Sequence, residues 1–194
     1  MRRGWKYIWL ILVLSTASSI AVAQSYVFAQ MTGTPINTSG WNLQGNAYTG
    51  NTGSNTGNGE LILTNPVNFQ SGSVFYNVPI NLAQCSKWIA EFQFRIAEGT
   101  AADGLAFCYL DVPPVGFVSG GGLGIPATAN GLKVCIDTYR NCGTDAVPKL
   151  QLRWGTTYDE CNGQPTVNNN DGALSSLRDG LYHQCKIEYD KGTL

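Results

Sequence analysis

The residues of this 194-residue chain that are best spaced to act together lie between Ala102 and Asp145. In Asp137-Thr-Tyr-Arg-Asn141, Asp137 and Asn141 carry side-chain oxygens, and Tyr139 between them can turn its backbone carbonyl the same way. Oxygens at i, i+2 and i+4 of a tight loop suit calcium, which takes roughly six to eight hard oxygen ligands. Asp145 is the nearest acid that could add to such a set. The competing reading is an ordinary turn capped by Asp and Asn, and spacing alone leaves both open. Two motifs precede this loop. Ala102-Asp103-Gly104 offers a carboxylate acceptor, and Gly120-Gly-Gly-Leu-Gly124 offers backbone N–H donors that no Cβ shields. The glycine run is not a phosphate loop, because no Lys-Ser/Thr follows and no helix is expected after it.

Strands must position these loops, since the helical signal is weak throughout. Trp88 to Ile96 alternates, with Trp88, Ala90, Phe92, Phe94 and Ile96 on one face and Glu91, Gln93 and Arg95 on the other. Leu150–Trp154 and Cys185–Tyr189 repeat that pattern, and Glu60–Leu63, Val74–Val78, Gly104–Leu110 and Lys133–Asp137 are shorter candidates. Gly, Asn, Pro and Asp clusters separate them. The expected fold class is all-β, an antiparallel β-sandwich. Asn46 to Gly59, rich in Asn, Thr and Gly, reads as a flexible surface loop. The end of the chain, Tyr189 to Leu194, reads as a strand end, a tight turn and the start of a returning strand, as in a longer domain.

The first 23 residues read as a secretory signal. Arg2, Arg3 and Lys6 form a basic start, Tyr7 to Leu14 is a short apolar run, and Ala21-Val22-Ala23 is a cleavage signal. The apolar run falls short of the roughly 20 residues a membrane span needs. Residues 24–194 then form one domain, with nine basic against thirteen acidic residues, on a secreted or cell-surface protein. No second membrane span is present in that part of the chain. So few clustered cations argue against nucleic-acid binding. Six cysteines behind a signal favour disulfides. Cys142 and Cys161 lie in loops and suit one bridge, whereas Cys108, Cys135 and Cys185 sit in strand-like runs and could be buried thiols. Zinc is disfavoured because there is no C-x-x-C pair.

Taken in order, the three motifs resemble the sugar-binding face of the L-type (legume-like) lectins, and the likeness extends from about Ser25 to Leu194. The resemblance implies a concanavalin-like jelly-roll sandwich with a curved front sheet and a flatter back sheet. It implies calcium bound by Asp137, the Tyr139 carbonyl and Asn141, with Asp145 (the plant-like spacing) or Asp171 (the animal cargo-receptor spacing) as the fourth ligand. It further implies that Asp103, preceded by a cis peptide, accepts hydrogen bonds from sugar hydroxyls. Asn141 and a glycine N–H of Gly122 or Gly121 would complete the contact, with Tyr139 or else Phe117 as the aromatic platform. The manganese site of plant members has no counterpart: Cys135 stands where their Glu would be, and their His would fall near Leu150.

These readings predict a calcium-dependent, non-enzymatic carbohydrate-binding domain whose partners are glycans or glycoproteins. Weak single-site affinity would call for an oligomeric or multidomain setting. Two alternatives remain: a structural or adhesive sandwich without sugar binding, and a glycoside hydrolase on the same scaffold. The hydrolase is the weaker, because a Glu-x-Asp-x-x-Glu strand device would need acids where Cys135 and Arg140 stand.

Overall fold

The computed structural model describes residues 26–33, 36–50, 59–82, 85–97, 99, 102–113, 115–126, 128–143, 147–156, 158–161, 166–170 (backbone only) and 177–190. Their strands are β1 (Thr32–Gly33), β2 (Trp41–Gly45), β3 (Tyr48–Gly50), β4 (Gly59–Ile62), β5 (Gly72–Tyr76), β6 (Lys87–Phe94), β7 (Gly104–Leu110), β8 (Gly131–Asp137), β9 (Lys149–Gly155), β10 (Thr166–Asn170) and β11 (His183–Asp190). Every pairing is antiparallel. The only helical element among the described residues is a 3-10 turn at Gly120–Gly122. The molecule is an antiparallel β-sandwich.

A front sheet runs in the order β10-β9-β8-β7. One face of it carries Leu132, Val134, Phe107, Tyr109, Leu150 and Leu152, which pack on Trp88, Ala90, Phe92, Cys185 and Ile187 of the β6–β11 pair. This is the core that alternation predicts: one face of each strand leaves water, at about 25 cal/mol per Å² of apolar area. Aromatic contacts cross the layers, with Phe92 stacked on Phe107 at 5.9 Å.

The opposite face of the front sheet departs from expectation. Its residues include Lys133, Asp137, Lys149, Gln151 and Arg153, which polar alternation assigns to solvent, yet all are buried. Segments following β7 and β9 cover them. Ile125 and Ala129, with Leu123 and Tyr158, pack against Cys135, Ala106 and Cys108. Several of the polar groups under that cover are hydrogen-bonded: the Lys133 ammonium, for example, donates to the carbonyls of Gly131 and Gly155. Burial of a charged or polar group without such partners would be strongly unfavourable.

Elsewhere the strands fall close to their expected places, with four additions. β1, β2, β3 and β10 were not anticipated. β3 lies inside the Asn/Thr/Gly stretch read as a loop; it pairs with β4, and its Tyr48 hydroxyl donates to Asn65 at 2.6 Å. Residues 51–58 of that stretch, the signal segment and 191–194 lie outside the described residues. Of the six cysteines only Cys142 and Cys161 are bridged, and Cys85, Cys108, Cys135 and Cys185 are thiols. Burial pushes the Cys108 thiol up to about 12, which keeps it protonated and unreactive.

Candidate functional site

Three strand ends meet at one edge of the front sheet. Register sets Gly104 opposite Asp137, and Asp137 opposite Lys149. Residues directly opposite in an antiparallel pair share a face, so Lys149 lies beside Asp137, with Nζ 3.4 Å from Oδ2. The strand entry before Gly104 brings Asp103 against the segment that follows Asp137. Thr138 fixes it there, donating its N–H (2.8 Å) and its hydroxyl (3.1 Å) to the Asp103 carbonyl. The Ala102–Asp103 peptide is cis. Gly104 has φ +145°, and a Cβ there would collide with the Ile136 carbonyl oxygen, so glycine alone lets β7 start this close to β8.

Asn141 joins the two loops. Its amide nitrogen donates to Asp103 Oδ1 at 3.1 Å and to Glu160 Oε2 at 2.9 Å. An amide carries two donor protons, and here each has a carboxylate. The other Glu160 oxygen, Oε1, lies 3.4 Å from Lys149 Nζ. Within the loop, Tyr139 N–H donates to Asp137 Oδ1 at 3.0 Å. The side chains of Asp137, Lys149 and Glu160 are at most 2% exposed. Burial, and after it the neighbouring Glu160 carboxyl, holds Asp137 well above the usual carboxylate range, against the pull of the Tyr139 N–H and the Lys149 charge.

The disulfide explains how Glu160 arrives. Cys142 and Cys161 are 19 residues apart in sequence with Cα atoms 5.3 Å apart, so the bridge sets Glu160 beside Asn141. Opening it with the Cys142→Ser/Cys161→Ser double variant is expected to lower stability by about 3 kcal/mol, the loop-closure value for a ring of this size. A denaturant midpoint unchanged from the parent would rule out that role.

An open cleft of about 350 Å³ lies over this network, lined by Val118, Gly121, Gly122, Asn141, Tyr158 and Glu160 among others. A Cβ on Gly121 would stand 2.7 Å from Glu160 Oε2 and 3.1 Å from Asn141 Nδ2, so the glycine run passes where a side chain could not. Asp103, Gly121, Gly122 and Asn141 are thus brought together. Tyr139 lies exposed on the same loop. Phe117 instead rests against Gly45, and the aromatic ring lining the cleft is Tyr158, whose hydroxyl donates to Gln151 at 3.3 Å. Asp145 and Asp171 lie outside the described residues. Sequence reading missed Lys149, Tyr158 and Glu160. The signal for Glu160 was available, because it adjoins Cys161, the expected bridge partner of Cys142.

The donor chemistry fits calcium. The loop supplies a carboxylate at Asp137, a carbonyl at Tyr139 and an amide oxygen at Asn141, all hard oxygens. The buried Asp137 Oδ2 makes no hydrogen bond. Among the described residues no group of three or more His, Cys, Asp or Glu side chains is gathered for a metal, so a bound cation would rely on backbone and amide oxygens as well.

Comparison with known proteins agrees with this architecture. A family model described as the legume-like lectin family matches residues 24–194. No curated protein sequence matches the chain. Among solved structures, the chain is similar to the exoplasmic/lumenal domain of VIP36 in its metal-free form, with a TM-score of 0.60 and 18% identity. That match covers 84% of this chain and 66% of the other, so the chain spans just under two thirds of the length of that structure.

Proposed function

The chain belongs to the legume-like lectin family, and on that premise we propose that it binds glycans, with calcium dependence, in the cleft beside Asp103, Gly122 and Asn141. The observation that carries this reading is the Asn141 amide held between the Asp103 and Glu160 carboxylates at the cleft wall. Asp103 has a second carboxylate oxygen to accept from a sugar hydroxyl. Gly121 and Gly122 bring unshielded backbone to the same place, and the Tyr158 ring offers an apolar surface for the C–H face of a sugar. Calcium, held by Asp137, the Tyr139 carbonyl and Asn141 with Asp145 or Asp171, would supply positive charge that fixes the loop. The protein's own residues do the rest: Thr138 anchors Asp103, and Glu160 orients the Asn141 amide.

The hydrolase reading loses ground on one observation. Retaining hydrolysis needs two carboxyls about 5–5.5 Å apart on either side of a sugar bond. Asp137 and Glu160, the buried acidic pair, share the Lys149 ammonium between them; Asp137 does not line the cleft, and Glu160, which does, has one oxygen on Lys149 and the other on the Asn141 amide. The reading is therefore a binding domain, secreted or displayed at a cell surface and addressed to glycoproteins. Among the described residues no helix is long and apolar enough to cross a membrane.

A glycan array probed in calcium and again with chelator tests this. Binding to a defined set of glycans that weakens on chelation is the expected result. A silent array from a folded, calcium-binding protein would favour a structural module instead.

A further inference from the structure

Lys149 is a buried cation of the site that neither the sugar pocket nor the calcium loop uses. A lysine ammonium is strongly hydrated, and burying one is unfavourable unless it is paired. Here it is buried with its Nζ 3.4 Å from Asp137 Oδ2 and 3.4 Å from Glu160 Oε1. Those oxygens belong to the residues that set the two ends of the network. Asp137 begins the loop that carries Asn141, and Glu160 receives the Asn141 amide through its other oxygen. Asp137 Oδ2 makes no hydrogen bond. Among the described residues, Lys149 is the cation that faces that oxygen.

We propose that Lys149 is a built-in cation: its ammonium occupies, between Asp137 and Glu160, a position a bound divalent ion could otherwise fill, and so positions Glu160 and Asn141 without metal on that side of the network. The placement follows from register, since Lys149 opens β9 directly opposite Asp137 at the end of β8. It shares Asp137 with the calcium loop and differs in its second donor, which is Glu160 rather than the Tyr139 carbonyl or the Asn141 amide. Lys149 is a positioning residue and touches no ligand. The inference rests on the glycan reading only for its effect on sugar binding; the charge balance stands on the geometry alone.

The test is thermal unfolding of the protein and of Lys149→Met, each in chelator and in millimolar calcium or manganese, with Lys149→Met/Glu160→Gln as the control. Without metal, Lys149→Met should melt roughly 10 °C lower. Divalent ion should return at least half of that loss, a larger gain than the parent shows, because two buried carboxylates stripped of their lysine form a cation site. The double variant should not show that extra gain. Where a glycan ligand is in hand, its affinity for Lys149→Met should fall in chelator and recover with the ion. Lys149→Met melting with the parent, or melting low with no more rescue by either ion than the parent or the double variant shows, would overturn the proposal. Failure of glycan binding in the parent, with the rescue intact, would remove the pocket reading and leave the built-in cation standing.

Discussion

Asp137→Ala is expected to lower the stability of the domain by about 3–5 kcal/mol, the range for removing one partner of a buried ion pair. The change takes away a carboxylate whose side chain is fully buried and strips Lys149 of that partner, leaving Glu160 beside it. It also removes the acceptor for Tyr139 N–H, so the loop that carries Asn141 loses its first internal bond. Equilibrium unfolding in urea would measure the loss, with the slope compared to exclude a change in the unfolded state. Calcium binding followed by calorimetry should disappear in the same variant. A loss below about 1 kcal/mol, at the level of an exposed pair, would mean that the Asp137–Lys149 contact is not a buried interaction in solution.

The second large effect is on binding rather than folding. Asp103→Asn keeps the size of the side chain and can still accept from Asn141, but it removes the charge offered to a sugar hydroxyl. Hydrogen bonds to charged groups are worth about 1.5–3 kcal/mol, so glycan affinity should fall by about ten- to a hundredfold. Stability should hardly change, because the bonds from the Thr138 N–H and hydroxyl to the Asp103 carbonyl do not depend on its carboxylate. Titration of an array-identified oligosaccharide into parent and variant would read the difference. Equal affinities would place the sugar away from Asp103.

Particular residues show how far the sequence could be read. Trp88, Ala90, Phe92 and Phe94 recur at every second position, with Glu91, Gln93 and Arg95 on the other face, and that pattern alone puts β6 in place with its apolar face on the core. β7 falls on its expected bounds for the same reason. Leu150 and Leu152 were placed correctly, but the intervening Gln151 is covered as well, because segments from elsewhere in the chain fold over that face. Periodicity reports which residues avoid water on one side of a strand; it is blind to a polar side that is later buried and hydrogen-bonded. Lys149 was hidden by that limit. Its role depends on which residue of β8 it faces, and register is a tertiary property. β10 was hidden differently: Thr166 to Asn170 is too polar to read as a strand, and it is one because β9 offers it a ladder.

The site divides along similar lines. Asp103, Gly121, Gly122 and Asn141 are recognisable as three short motifs in order, and the fold gathers them at one sheet edge. Glu160 and Tyr158 belong to no motif. They come from a segment tied back by the Cys142–Cys161 bridge, so their place depends on a cross-link rather than on a pattern of residue types.

The most direct measurement is a crystal structure of the protein with an array-identified oligosaccharide bound. A sugar ring in the cleft beside Tyr158, with hydroxyls within hydrogen-bond reach of the Asp103 carboxylate and a Gly121 or Gly122 N–H, is the predicted result. A sugar seated elsewhere, for instance in the groove formed by Tyr26, Tyr76 and Pro79, with the Asp103–Asn141 cleft empty, would contradict it.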